Sequence, residues 1–307
     1  MVTNYELRLK ARKALQGNWQ VALLVMFIAS LPSLISQVVS ALQGDTLMAA
    51  LLTQASKGNT EIFSSPEGLM SLVKDQAGTG YLLRNTLSVL AWLVSPFLTL
   101  GMLNYLLRTL RAQDGFITTV FSRTSCFFKA IGLNLMIALK IILWALPGAA
   151  LLGVTVVLAT MWSGGNSSAQ AWLLLILMYA SYAALIVPVV MAAFRYAMAT
   201  TVMADHPDMG VMQAIGESKS IMDKRKFQLF TLELSFIGWA LLLAVVDSAL
   251  TYMIGAVIGS TVYMLLNLAL QVYMQTSMCA FYEQYRVHEG DPLVAQGTVE
   301  DEAGRPL

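Results

Sequence analysis

Apolar positions along the chain fall into long runs separated by polar, often basic, stretches. A helix needs about 20 mostly apolar residues to cross a bilayer. Trp19–Val39 is the first such run and Thr86–Leu107 the second. A third lies within Ala130–Trp162, interrupted by Lys140 and by Pro147-Gly148. It is too long for one straight span, so its first turns are expected near an interface, with a kink at Pro147. Ala171–Phe194 is the fourth run, Phe227–Ser248 the fifth and Ile254–Cys279 the sixth. The pattern predicts an all-α fold, a polytopic membrane helix bundle of about six transmembrane helices.

Three basic amphipathic segments lead into these runs. Thr3–Asn18 is the first; Thr3 and Glu6 are spaced as a capping box, and Leu7, Ala11, Ala14 and Leu15 share one side. Phe116–Lys129 is the second. Asp208–Lys226 is the third, with Met212, Ile215 and Met222 at helical spacing. Such segments lie in the interface plane, apolar side toward the acyl chains and basic side toward anionic headgroups. The same charges also serve as ordinary topology determinants. Three consecutive units are therefore expected, beginning near Thr3, Phe116 and Asp208, each an interfacial helix followed by a helical hairpin. Residues 1–18 form the first basic helix and 19–282 the six-helix domain. Residues 283–307 form a tail that turns polar, Gly-, Pro- and acid-containing from Glu289 and reads as largely disordered.

Composition narrows the class. The chain has 307 residues, 57% of them hydrophobic and only 12% charged. Soluble domains carry roughly 25% charged residues, so a soluble multidomain reading fails. A net charge of +1 gives no field for nucleic acid. Distribution matters more than the total. Of the 19 Lys and Arg, only Lys57, Lys74 and Arg84 fall on one side of the six-span arrangement. The rest gather on the other side, which the positive-inside rule makes cytoplasmic, together with both termini. The first apolar run is long enough to span, so it targets the chain without cleavage. The long outer segment Gln43–Arg84 contains Ser65-Pro66-Glu67, a helix-start pattern. Trp19, Trp162 and Trp172 fall at expected span ends, where indoles favour the headgroup level.

One stretch has a family likeness. It runs Arg195-Tyr196-Ala197-Met198, then Ala204-Asp205-His206-Pro207, Ala214, Ser218, Met222 and Lys226, to Leu234-Ser235-Phe236-Ile237-Gly238-Trp239. Ala11-Arg12, Leu15 and Gly17-Asn18-Trp19 belong to the same pattern, as do Gly101, Tyr105 and Arg108, Leu143-Trp144 before Pro147-Gly148, and Tyr273, Thr276 and Phe281-Tyr282. Together they resemble the bacterial membrane family known as domain of unknown function 975, over roughly residues 8–285. The resemblance implies a multi-pass protein of the bacterial cytoplasmic (inner) membrane, and it implies no activity. Lys224 stands where that family usually has glycine, and Val272 where it usually has proline. Ala149–Phe194 intervenes where the family runs almost straight on.

Catalytic chemistry is hard to find. His206 and His288 both fall outside the spans, with no second ligand at metal spacing. No serine sits in a GxSxG setting, and there is no HExxH or phosphate loop. Cys126 and Cys279 are far apart and read as small apolar side chains. No catalytic, cofactor or metal residue is therefore assigned. Charge inside spans is more informative, because it is costly and often functional. Glu233 lies about 9 Å past Phe227, and Lys140 about 10 Å past Leu133, so the two are expected to pair. Asp247, about 30 Å past Phe227, reads as a solvated helix end. Asn267, Gln271 and Gln275 share one helix face, suited to hydrogen bonds across helices or, less favoured, to a wet cavity. Gly255 and Gly259 form a GxxxG that permits close helix approach. A second candidate surface comprises Ser218, Lys219, Met222, Arg225 and Lys226, facing membrane lipids with anionic headgroups or a membrane protein partner. The leading reading is a non-enzymatic accessory, scaffold or lipid-interacting module. A small transporter or permease component is second and an intramembrane enzyme third.

Overall fold

The computed structural model describes residues 3–42, 79–113, 115–161 and 168–286. The expected helix start at Ser65-Pro66-Glu67, Trp162 and the polar tail lie outside the described residues. Everything regular within them is helical. Six helices are long: α2 (Trp19–Leu42), α3 (Thr79–Leu110), α4 (Phe127–Met161), α5 (Ser168–Tyr196), α8 (Lys226–Ile254) and α9 (Ala256–Tyr285). Short elements precede or join them: α1 (Asn4–Leu15), 3-10 turns at Ile117–Phe121 and Thr124–Cys126, α6 (Ala199–Asp205) and α7 (Val211–Ile221). Five of the long helices contain stretches long and apolar enough to cross a membrane.

The long helices pair as α2–α3, α4–α5 and α8–α9. Small residues set two of these pairings. A Cβ on Gly148 of α4 would strike the backbone of Ala184 and Leu185 in α5. Seven residues on, Thr155 and Ser181 join their hydroxyls at 2.7 Å, a buried polar pair between the two helices. The α8–α9 hairpin turns on Gly255 alone, at φ +90°, where a side chain would be strained. Gly259 then packs within 2.7 Å of Thr251 N, measured from an added Cβ. The expected GxxxG thus divides its work: one glycine makes the turn, the other the contact.

The three hairpins do not pack together along their length. Buried apolar side chains gather at one end: Leu7, Ala11 and Leu15 of α1, Ala22, Val25 and Met26 of α2, the apolar residues of Phe97–Leu107 in α3, and Ala130 and Leu133 of α4. Ala192 and Tyr196 of α5, nearly all of α6, Leu229, Leu232 and Phe236 of α8, and Val272 with Cys279–Tyr282 of α9 complete the cluster. Apart from Pro32 and Pro96, no apolar side chain at 27–38, 86–96, 134–159, 172–191, 237–255 or 258–267 is buried. The core therefore occupies the end where the basic segments lie, and the far halves of the helices touch mainly their own hairpin partners.

Several expectations change in detail. The capping box forms: Glu6 N–H donates to Thr3 Oγ1, and Thr3 N–H donates to Glu6 Oε2 at 2.9 Å. The apolar side of α1, expected against acyl chains, is covered by α9 and α3 instead. Asn4 Nδ2 donates to Thr231 Oγ1 at 2.9 Å, and Tyr273 OH donates to the Arg8 carbonyl, fastening α1 to the third hairpin. Phe116–Lys129 is not one amphipathic helix. Its β-branched run Ile117-Thr118-Thr119-Val120 has weak helix propensity, and Ser122 Oγ donates to the Thr119 carbonyl, favouring the tighter turn. The link between α5 and α8 holds the buried helix α6 ahead of the third basic segment. Lys224 adopts φ +56°, the left-handed conformation that suits glycine, in the turn between α7 and α8.

Two substitutions check this packing. Gly101 of α3 lies against the Val120 carbonyl so closely that a Cβ cannot fit without backbone movement. Gly101→Ala is expected to lower stability by about 1–3 kcal/mol, read as an earlier thermal transition in detergent, whereas Gly153→Ala, with open space around it, is expected to leave the transition unchanged or raise it. Lys224→Gly relieves left-handed strain of about 1–2 kcal/mol, partly offset by glycine's entropy cost, so a small rise in the same transition is expected.

Candidate functional site

Three helices end within reach of one another at the basic end. These are α3 at Leu110, α6 at Asp205 and α9 at Tyr285. Helix C-termini carry partial negative charge, so cations are favourable there. Arg111 and Arg286 follow directly after α3 and α9, and both turn their guanidinium groups onto two carboxylates. Arg111 Nη2 donates to Asp205 Oδ2 at 2.8 Å. The same Arg111 forks onto Glu283, Nη2 to Oε2 at 3.0 Å and Nε to Oε1 at 3.2 Å. Arg286 Nη1 donates to Asp205 Oδ2 at 2.9 Å, and its Nη2 reaches Glu283 Oε1 at 3.0 Å. Tyr282 OH donates to Asp205 at 3.1 Å, and His206 Nε2 lies 3.5 Å away.

The cluster is charge-balanced, two guanidinium groups against two carboxylates. Asp205 keeps 6% of its side chain exposed and Glu283 13%. Burial of such charges is tolerable because each carboxylate accepts several charge-assisted hydrogen bonds. The hydrogen bond to Asp205 is the largest influence on Arg111 and raises its pKa; partial burial opposes it and Glu283 adds to it, so the group stays cationic. Among the described residues no group of His, Cys, Asp and Glu is arranged to hold a metal. The arrangement suits a mechanical role: it locks α3 of the first hairpin, the α5–α8 link and α9 of the third hairpin to one another.

The second hairpin is tied to the same link. Lys129 Nζ at the start of α4 donates to the Pro207 carbonyl at 2.9 Å. Ser218 Oγ of α7 donates to the Arg195 carbonyl in the last turn of α5 at 3.2 Å. Ser218 and Met222, expected on an interaction surface, are fully buried and belong to this joint. The reason is the phase of α7, which turns Ala214, Ile215, Ser218 and Ile221 inward and leaves Met212 outside. Lys219 sits over the Tyr196 ring at 5.9 Å, and Arg225 stacks on Tyr285 at 4.4 Å, both cation–π contacts. Lys226 opens α8 and remains partly exposed.

The intramembrane candidates are placed differently from expectation. Lys140 and Glu233 make no ion pair. Phe194 of α5 packs on Phe230 of α8 at 5.9 Å between ring centroids, so α5 stands between the helices that carry the two charges. The α4–α5 register, Gly148 on Leu185 and Thr155 on Ser181, also brings Lys140 level with the last turn of α5, near the end of the hairpin. The amides of α9 bond along their own helix: Gln271 Nε2 to Asn267 Oδ1 at 2.8 Å, and Asn267 Nδ2 to Tyr263 OH at 3.2 Å.

Sequence reasoning counted Arg111 and Arg286 only as topology markers and missed Asp205 and Glu283. Arg111 meets Asp205 across 94 residues of chain and Glu283 across 172, so no spacing rule could join them. One signal was present: Asp205 lies in the Ala204-Asp205-His206-Pro207 block that carries the family likeness. A family model described as a protein of unknown function (DUF975) matches residues 1–289, and the chain belongs to that family. No curated protein and no solved structure matches the chain.

Breaking the charge balance tests the lock. Asp205→Asn leaves two guanidinium groups facing one carboxylate and is expected to cost on the order of 3 kcal/mol. Arg111→Gln alone is expected to cost a similar amount. The double variant should lose less than the sum of the two by about 1–3 kcal/mol, measured by thermal or denaturant unfolding in detergent. Additive losses would show that the two side chains act independently.

Proposed function

We propose that this DUF975 protein is a non-enzymatic membrane scaffold, built to hold three apolar hairpins in the bilayer from one rigid base. The observation that carries this reading is the distribution of packing. A dense base, locked by Arg111, Asp205, Glu283 and Arg286, supports hairpins whose far halves, among the described side chains, bury no aliphatic or aromatic group besides Pro32 and Pro96. The α4–α5 hairpin is the extreme case. Gly148 and the Thr155–Ser181 bond hold it together internally, while Leu143, Leu146, Leu173 and Ile176 stay exposed on its outside. A rigid hairpin with uncommitted apolar faces suits packing against the transmembrane helices of another protein, where close van der Waals contact drives association.

The base carries the basic residues, which orients it toward the cytoplasm by the positive-inside rule. Exposed Phe116, Phe121, Phe128 and Phe227 ring this end beside Arg123, Lys129, Lys224 and Lys226. Aromatic rings at the headgroup level with basic side chains beside them fit an anionic leaflet, each cation contributing about 1 kcal/mol. A transport role is the second reading. One observation favours it: Glu233 lies within a spanning helix and makes no ion pair.

Photo-crosslinking residues at Leu146 and Ile176 in native membranes are expected to give discrete protein adducts, with the same residues in purified proteoliposomes giving lipid adducts only. Lipid adducts alone in both settings would remove the scaffold reading. A solute or proton flux in proteoliposomes that Glu233→Gln abolishes would put transport in its place.

A further inference from the structure

The α4–α5 hairpin changes character partway along its length. Its near part belongs to the base. Ala130, Leu133, Ala192 and Tyr196 are buried there, Lys129 Nζ donates to the Pro207 carbonyl at 2.9 Å, and Ser218 Oγ donates to the Arg195 carbonyl at 3.2 Å. Its far part is fastened internally, by the buried hydroxyl pair of Thr155 and Ser181 at 2.7 Å. Between the two parts each helix carries a proline, Pro147 in α4 and Pro188 in α5. Two contacts set the register of these antiparallel helices, Gly148 against Leu185 and Thr155 against Ser181. Counted toward the base from the first contact, Pro147 lies level with residue 186; counted from the second, with residue 189. Pro188 falls inside that interval, so the two prolines occupy one depth.

A proline has no N–H to donate and its ring crowds the carbonyl four residues back. Pro147 therefore cannot bond to the Leu143 carbonyl, nor Pro188 to the Ala184 carbonyl. One such loss bends a single helix. Two at the same depth remove backbone support from both arms together, so neither arm braces the other at that level. Lipid cannot satisfy a released carbonyl. The Ala184 carbonyl instead faces Gly148 of the opposite arm, where an added Cβ would lie 2.7 Å from its oxygen. Protein thus covers the released group, and the arms stay in contact at the level where both are soft.

We propose that Pro147 and Pro188 form a paired hinge on which the far part of α4–α5 swings as one unit above the base. The hinge needs no partner protein. Where the hairpin does meet one, the hinge sets the angle at which its outer faces are presented. Pulsed electron-paramagnetic-resonance distances on the full chain in nanodiscs test it. Lys10 on the base, Met191 on the near side of Pro188, and Leu151, Leu173 and Ile176 beyond the prolines are all exposed and suit spin labels. Lys10 with Met191 should give a narrow distribution, and so should Leu151 with Leu173. Lys10 with Ile176 should give a broad one. Pro147→Ala/Pro188→Ala returns both N–H groups to the helices and should narrow the Lys10–Ile176 distribution several-fold, leaving the other two pairs as they were. A Lys10–Ile176 distribution as narrow as that of Lys10–Met191 in the unsubstituted chain would overturn the proposal. So would a broad distribution for either of the other pairs, or equal breadth with and without the prolines. The comparison of the three pairs in the unsubstituted chain decides the matter alone should the double variant fail to fold.

Discussion

Inside a bilayer each backbone N–H and C=O must find its partner within its own helix, because lipid supplies none. Irregular backbone is then permitted only where protein covers it. The described chain obeys this closely. The 3-10 turns after α3, the break at Ala197-Met198 between α5 and α6, and the left-handed turn at Lys224 all lie at the basic end with the buried core. The far end described here needs only the one-residue turn at Gly255. Core and connections share one end for the same physical reason.

Within that end, the link between α5 and α8 is the hub. Asp205 binds the first hairpin through Arg111 and the third through Arg286 and Tyr282. The Pro207 carbonyl holds Lys129 at the start of α4, and Ser218 holds the end of α5. Small side chains make this possible: Ala199, Ala204 and Ala214 let α6 and α7 sit close among the long helices. The ion pairs add direction to what apolar packing leaves loose, since a guanidinium fork accepts a carboxylate in only a few geometries. The stretch Arg195–Trp239, which carries part of the family likeness, includes this hub, so the likeness there has a structural meaning even though no activity comes with it.

Much of the architecture was legible in the chain. Length and hydrophobicity marked the long helices, Thr3 and Glu6 marked the start of α1, and Gly255 and Gly259 marked a tight approach. Period and composition are local, and these features are local. What escaped was set by distance in sequence. Arg111, Asp205 and Glu283 carry no motif that announces their meeting. Ser218 and Met222 looked like surface because α7 is short and its inward face depends on α5 and α6. The Lys140–Glu233 pair failed because depth along a helix says nothing about which helix lies between. The turns at Ile117–Phe121 were misread because basic charge suggested a helix where β-branched residues weighed against one.

The central claim is that the hairpins are held together at the basic end and left unpacked against each other at the far end. Pulsed electron-paramagnetic-resonance distances in nanodiscs test it most directly. Spin labels at Lys10 and Asp223, both exposed on the base, should give one narrow distance distribution. Labels joining different hairpins at the far end, Ile35 with Leu242 and Ile176 with Leu242, should give broad ones, as expected where few contacts fix relative position. Equally narrow distributions at both ends would show a bundle packed along its whole length and contradict the account.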